Sequence, residues 1–567
     1  MLKIKSILVS LLAVAALASC SKENDESPEV DGGKDYDVAY VSISLSGPKK
    51  TGTRASGEKP SLPEESEINQ LYVITFNGGK TVVKDTDPTA EYATVLSSGP
   101  GGSLNTTSGG VTTPNTPIKV ATNTEYLLVI ANPGDILKAR LEGISASTTY
   151  DDINQMLTVA TKSGEADNSY LVEEVAHTNG FTMINAGFYT SSTTSWEDDC
   201  LLNVADKIVQ AKDYKTDNEA LNAAKSNPAS LKIERLASKL EVMVKGVLKV
   251  APFEDPSGNS LGQFEFGNWT IDYYNSLFFP FAKKTTTKSS HATGFYESNF
   301  YTIDPNFTKV SGSEYLTGIV KNVVDPSTRE PNADWAAKGV TAGDKDNDFR
   351  YCIENTMDAG YQKFGAATRL VLKGKYAPWP AGEFTLGNDW FRLPNGTNSK
   401  NFKSFDDLKT AYDAAKLKET NVEPMDATER LLVSACELFY TLIKSELSAD
   451  PGSFAALTAT ELSTSNITNG GELAKQEGCI YWYQNSLNYY YYEIGHDNEA
   501  TDHMEYGKYG VVRNNFYTLT LAQVNGNGTP WYPDDEDDEE DIDKLGAYLH
   551  FEIEVAPWVY WTTEFEI

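Results

Sequence analysis

The sequence predicts a mostly β protein, built as two β-sandwich domains with helical insertions. Three observations lead there. Alternating apolar and polar runs recur along the chain, with the period of half-buried strands. There are 31 Tyr residues, many inside those runs, and aromatic side chains favour strands. Breaks rich in Gly, Pro and Asn separate the runs at short intervals. A length of 567 residues exceeds one average domain, so two are expected. Apolar residues make up 40% of the chain, which is enough for packed cores and argues against wholesale disorder.

The chain opens MLKIKSILVSLLAVAALASC. Lys3 and Lys5 precede an apolar run from Ile7 to Leu17, too short to span a bilayer as a mature helix. It reads as a secretory signal over residues 1–19. The ending Leu17-Ala18-Ser19-Cys20 resembles a bacterial lipobox, which implies lipid on the Cys20 thiol. An ordinary signal peptide with an incidental Cys is the alternative. Several acyl chains, at about 0.8 kcal/mol per buried CH2, anchor a protein firmly. The segment SKENDESPEVDGGKD that follows is a polar tether.

A short strand comes next, in DYDVAYVSISLSG. Ala39, Val41, Ile43 and Leu45 form one uniformly apolar face, as a half-buried strand requires. The stretch GPKKTGTRASGEKPSLPEE then breaks all periodicity and holds one arginine, Arg54, among small and helix-breaking residues. Strand patterns resume at residues 71–76 and 126–131, and again in FTMINA (181–186). Residues 146–163 and 202–226 read as helical or mixed. The 231–244 segment alternates for much of its length. A domain boundary is expected near Asn227-Pro228, giving 20–54 as propeptide, 55–228 as the first sandwich and 229–567 as the second.

In the second half, strands are expected at 264–274, 367–374, 480–483, 489–494 and 515–524. Two helical patterns, 404–418 and 427–447, sit among them as an insertion. The acidic run DDEDDEEDID (534–543) reads as a solvated loop. The chain closes LHFEIEVAPWVYWTTEFEI, read as two strands hinged at Pro557, which cannot donate to a ladder.

Charge and cysteines exclude several functions. The formal balance is 48 − 80 = −32, and such a chain repels phosphate backbones, so nucleic acid is not an expected partner. Cys200, Cys352, Cys436 and Cys479 show no metal-ligand or redox spacing, and sequence does not assign any disulfide among them.

Candidate chemistry is weak. Gly258-Asn259-Ser260-Leu261-Gly262 fits a nucleophile-elbow pattern, but a loop leads into it and a strand pattern follows, whereas an elbow needs a strand feeding a helix. His496 and His503 bracket three acids in HDNEATDH without a zinc spacing, which favours a solvated loop. The acidic run lacks a calcium-loop pattern. The Tyr489–Tyr492 run, a conceivable carbohydrate platform, is explained more cheaply by strand tyrosines split between core and surface. No catalytic residue, metal site or cofactor is expected.

Several features occur together. The lipobox and the lone Arg54 precede Cys352-Ile353-Glu354-Asn355-Thr356, then Thr368-Arg369-Leu370-Val371-Leu372-Lys373-Gly374. Arg513-Asn514-Asn515-Phe516-Tyr517 then leads through the acidic loop to Ala556-Pro557-Trp558. Together they resemble the fimbrillins of Bacteroidales, the type V pilus subunits, and most of all the shaft subunit of the minor fimbrium. The resemblance implies transthyretin-like sandwiches and a lipoprotein precursor carried to the outer membrane. It implies an Arg-specific extracellular protease cutting after Arg54, so that the mature chain starts at Ala55. It also implies loss of the leading strand and its replacement by a strand from a sister subunit. The partners so implied are other copies in a head-to-tail filament, anchor and tip subunits, and host or bacterial surface receptors. Arg329, in PSTREPNAD, is a second loop-like arginine.

The terminal residues fit a donor role. Val559, Trp561, Thr563, Phe565 and Ile567 share one face, larger than that of Ala39, Val41, Ile43 and Leu45. Four buried apolar side chains at about 1.5–3 kcal/mol each contribute roughly 6–12 kcal/mol before entropy costs. Such addition is heterologous and does not close, so it makes a filament. The rival readings are a terminal strand that completes its own sheet, a pilus anchor or tip subunit, and a monomeric glycan-binding surface lipoprotein.

Overall fold

The structure is a computed structural model. It describes residues 38–46, 59–60, 65–106, 111–159, 174–186, 200–250, 263–283, 302–308, 318–378, 383–496, 504–533 and 549–559, apart from single residues 178, 343, 345 and 397. The protein is mostly β, with many sheets. In the N-terminal half, Gln70–Phe76 and Tyr126–Ala131 pair antiparallel along six residues each, toward one end of a 10-stranded sheet. Their side chains split by the strand period of two. Tyr72, Ile74, Leu128 and Ile130 enter one apolar cluster, and Leu71, Val73, Leu127 and Val129 another. Buried on both faces, these strands show near-continuous apolar runs.

The same sheet continues through Met183–Asn185 to Ala229–Arg235. Sheet membership then changes at Leu236. Ala229–Arg235 still pairs with N-terminal strands, whereas Ala237–Val250 pairs with Arg350–Ile353 and Asn515–Val524.

The C-terminal half is built on a five-stranded sheet ordered Arg350–Ile353, Ala237–Val250, Asn515–Val524, Leu549–Val559, Lys59–Pro60. A three-stranded sheet of Gln263–Asp272, Arg369–Ala377 and Leu487–Glu493 belongs to the same half. The largest apolar cluster joins residues of both halves, among them Phe76 and Leu137 with Leu240, Trp269 and Leu519.

The helical insertion forms as expected. Ser404 caps Phe405–Thr420, and Asp426 with Glu429 makes a reciprocal capping box at the start of Ala427–Ile443. The insertion has its own core, in which Leu408, Tyr412, Phe439 and Ile443 pack on Phe391 and Trp482.

A candidate strand-acceptor groove

Residues 38–46 fold as two short strands, Val38–Val41 and Ile43–Ser46. Neither lies at an edge. The first runs antiparallel between Ile118–Ala121 and Val209–Gln210, with Ala39 opposite both Val120 and Gln210. The second leaves that sheet and enters the other, parallel to Ala229–Arg235 on one side and antiparallel to Thr112–Pro114 on the other. The Ala229 N–H donates to the Ser42 carbonyl at 2.7 Å, across the switch. One nine-residue stretch therefore fills a central place in two sheets.

The expected inward face is fully buried: Ala39, Val41 and Ile43 are 0% exposed and Leu45 is 1%. They pack on Leu71, Val120, Leu127, Val129 and Leu231. The expectation of a half-buried strand holds for Ile43–Ser46, where Ser44 and Ser46 are partly exposed. It fails for Val38–Val41, whose other face, Val38 and Tyr40, is also buried. Val38 and Tyr40 pack against Ala211, Ala220 and Ala224. The last two lie on the Asp217–Ser226 helix, whose N-cap Thr216 accepts from Glu219 N at 3.2 Å. Alanines one turn apart let this helix lie close on the strand. The signal for the second covered face was in the sequence: Val38 to Val41 are four consecutive apolar residues.

Downstream of the breaker segment, the chain is held at Glu65. Its carboxylate, 1% exposed, pairs with the Lys239 ammonium at 2.6 Å and accepts from the Tyr351 hydroxyl at 2.7 Å. Arg235 donates to the Glu65 carbonyl at 2.8 Å and to the Ser66 hydroxyl at 3.0 Å. Burial lowers the Lys239 pKa, and the facing Glu65 carboxylate opposes that shift. The clasp sits where the two halves meet.

Arg329 is not an open loop residue. Its φ is +60°, its side chain is 16% exposed and ion-paired with Glu446 at 2.8 Å, and its carbonyl accepts from Asn469 Nδ2 at 2.5 Å. Cys20, Arg54 and Ala55 lie outside the described residues.

At the other end, Leu549–Val559 is one strand paired antiparallel with Asn515–Val524. Pro557 stands opposite Asn515 and does not divide it, so the expected hinge is absent. This part of the tail completes its own domain's sheet. Its last two residues, Trp558 and Val559, pair in parallel with Lys59 and Pro60. Trp561, Thr563, Phe565 and Ile567 lie outside the described residues, as do Ser260, His503 and the acidic run.

His496 is not in a solvated loop. It is 1% exposed, and its Nδ1 lies 2.8 Å from the Tyr517 hydroxyl. Tyr489 and Tyr490 are buried and Tyr491 and Tyr492 half-buried, in line with strand tyrosines. Cys200, Cys352, Cys436 and Cys479 are buried free thiols. Among the described residues, no three His, Cys, Asp or Glu side chains gather as a metal site.

The chain is β-rich, with its N-terminal described segment threaded through the middle of two sheets. Comparison gives the class. Residues 39–232 match the family model described as major fimbrial subunit protein (FimA). Residues 481–564 match that of major fimbrial subunit protein type IV, fimbrillin, C-terminal. The fimbrillin resemblance read from the sequence therefore holds, and it supports a structural role in a cell-surface fimbrium, in adhesion, with other fimbrial subunits as partners. Fimbrial subunit families are not enzymes. No curated protein matches the chain by sequence. Among solved structures, a candidate cell adhesion protein from Parabacteroides distasonis is 13% identical, with 92% of this chain and 99% of that one covered and a TM-score of 0.37. The tip fimbrial protein Mfa3 from Porphyromonas gingivalis, C-terminally truncated, is 10% identical over 92% of this chain and 100% of that one, at a TM-score of 0.28. A fimbrial protein from Bacteroides vulgatus is 8% identical over 91% and 99%, at 0.27.

Proposed function

We propose that this protein is a shaft subunit of a fimbrium, of the minor-fimbrium type, and polymerises by strand exchange after proteolysis. The precursor is lipidated on Cys20 and held at the outer membrane. An Arg-specific extracellular protease cuts between Arg54 and Ala55. Residues 38–46 leave, and the tail of a second copy enters the groove through Val559, Trp561, Thr563, Phe565 and Ile567. The fibre then serves attachment to host or bacterial surfaces and biofilm growth.

One observation carries this reading: the central, buried seat of residues 38–46 in both sheets. Removing the segment exposes apolar floor in one cluster and opens ladder edges on both sides in each sheet. Such edges are a template for another strand. While seated, the segment blocks that template, so the precursor stays monomeric. Arg329, tied down by Glu446 and Asn469, is a poor substrate, because proteases need a chain that can extend into their cleft.

The test is incubation of purified precursor with an Arg-specific protease. Filaments with Ala55 at the N-terminus support the reading. Monomer after complete cleavage at Arg54 refutes it. Truncation of residues 558–567 leaves the domain strand paired through Pro557, so the variant is expected to fold, be cut and remain monomeric.

A further inference from the structure

The Glu65 clasp has the makings of more than an ion pair. The Lys239 and Glu65 side chains are each 1% exposed, and Nζ lies 2.6 Å from Oε1. The Phe349 ring centroid is 3.6 Å from Lys239 Nζ, that of Phe516 5.2 Å and that of Tyr351 5.9 Å. Three aromatic rings thus line the pocket around the amine. The Tyr351 hydroxyl donates at 2.7 Å to Glu65 Oε1, the same oxygen that Lys239 meets.

Opposite charges in so dry a place carry a heavy desolvation cost, and moving one proton from nitrogen to oxygen removes both charges. Burial lowers the Lys239 pKa; Glu65 opposes that shift and the Arg235 guanidinium adds to it. A buried lysine in its neutral form is a nucleophile. Lys245–Glu552 and Lys418–Glu429 are pairs of the same chemistry, but their side chains are 25% to 53% exposed, and water there keeps both groups charged. Arg369–Asp272 and Arg513–Glu354 are buried, but a guanidinium does not give up its proton.

We propose that Glu65 and Lys239 condense into an isopeptide bond, an amide between Cδ of one side chain and Nζ of the other. The ammonium first hands a proton to the carboxylate, which leaves a neutral amine against a carboxylic acid. The nitrogen lone pair attacks Glu65 Cδ and the C–N bond forms. Oε1 takes up the negative charge, and the Tyr351 hydroxyl, already donating to it, stabilises it. A proton passes from nitrogen to the other oxygen, that C–O bond breaks, and water leaves. An ammonium and a carboxylate become an amide and one water, with nothing oxidised or reduced. The fixed contact replaces the encounter that two free groups would need, and the aromatic pocket excludes the water that would reverse the step.

The bond would join parts far apart in the chain. Glu65 stands just before Gln70–Phe76 of the N-terminal sheet, and Lys239 lies on Ala237–Val250 in the five-stranded sheet of the other half. A pull on the chain upstream of Glu65 then meets a covalent stop. The bond forms on folding and needs neither proteolysis nor strand exchange.

The experiment is mass spectrometry of tryptic digests of the purified, uncut precursor, parent beside Lys239→Arg. The parent is expected to give a branched peptide joining Glu65 to Lys239, one water lighter than its two arms taken separately. Lys239→Arg keeps the charge and cannot form the bond, so only the separate peptides are expected from it. Separate peptides alone from the parent overturn the proposal. So does a lost water that maps to a different pair of residues, or one that persists in Lys239→Arg. Tyr351→Phe keeps the pair and removes the donor, so linked and unlinked chains are expected side by side. Linkage as complete as in the parent refutes the role of the hydroxyl.

Discussion

Replacing Ile43 by Ala separates the two states that strand exchange connects. Ile43 is 0% exposed and packs in the N-terminal core with Ala229 and Leu231. Truncating a buried Ile to Ala costs about 2–5 kcal/mol, depending on how far the site collapses. With a urea slope of roughly 2 kcal/mol per molar, the precursor's unfolding midpoint should fall by on the order of 1–2.5 M. In fibres formed by the proposed exchange the same substitution should have no effect, because Ile43 would leave with the N-terminal fragment. The assay is urea denaturation of uncut Ile43→Ala precursor against parent, beside depolymerisation of fibres grown from each. Equal loss of midpoint in precursor and fibre would show that the segment stays seated after assembly and would falsify the exchange reasoning.

Other perturbations bear on processing, pH response and packing. Arg54→Ala should abolish Arg-specific processing, whereas Arg329→Ala should leave the N-terminus at Ala55; sequencing the cut product decides, and a switched outcome contradicts the ordering of the two sites. Asp304 is fully buried, and desolvation raises its pKa from 3.8 to about 7, against hydrogen bonds from Thr356, Asn306 and Asn275. Its folded pKa exceeds the unfolded one, so its stabilising contribution is complete below about pH 4 and is lost as pH rises through 7. Asp304→Asn should flatten that slope in melts taken from pH 4 to 7.5, and an unaltered slope would place its origin elsewhere. Gly470→Ala would set a Cβ 2.1 Å from the Trp482 ring, so the insertion's core should loosen, with a lower melting temperature and changed Trp fluorescence.

Much of the fold could be read from periodicity. The Asn515–Val524 strand and the two insertion helices formed within a few residues of expectation, because their patterns are long and their caps explicit. What escaped depended on partners distant in sequence. Val38 and Tyr40 looked like an outer face until the helix at 217–226 was placed over them. His496 looked solvated in a polar context, yet Tyr517 holds it inside. The change of sheet at Leu236 was hidden because one alternating pattern serves two sheets in succession. Pro557 suggested a hinge, but local rules do not show that its neighbours already lie in a ladder. Of the candidate site, the inner face of the leading strand was legible from alternation alone. The two-sheet crossing and the Glu65 clasp were not, since no local pattern encodes either.

The apolar cluster common to both halves has a mechanical consequence. Phe76 and Leu137 share packing with Leu240, Trp269 and Leu519, and one backbone runs without a linker from Arg235 through Leu236 to Ala237. Swivelling of the two halves would have to break that shared packing. A pull delivered at one end of the molecule arrives at the other with little slack, and stiffness along a fibre would be set by the joints between molecules rather than by bending within them.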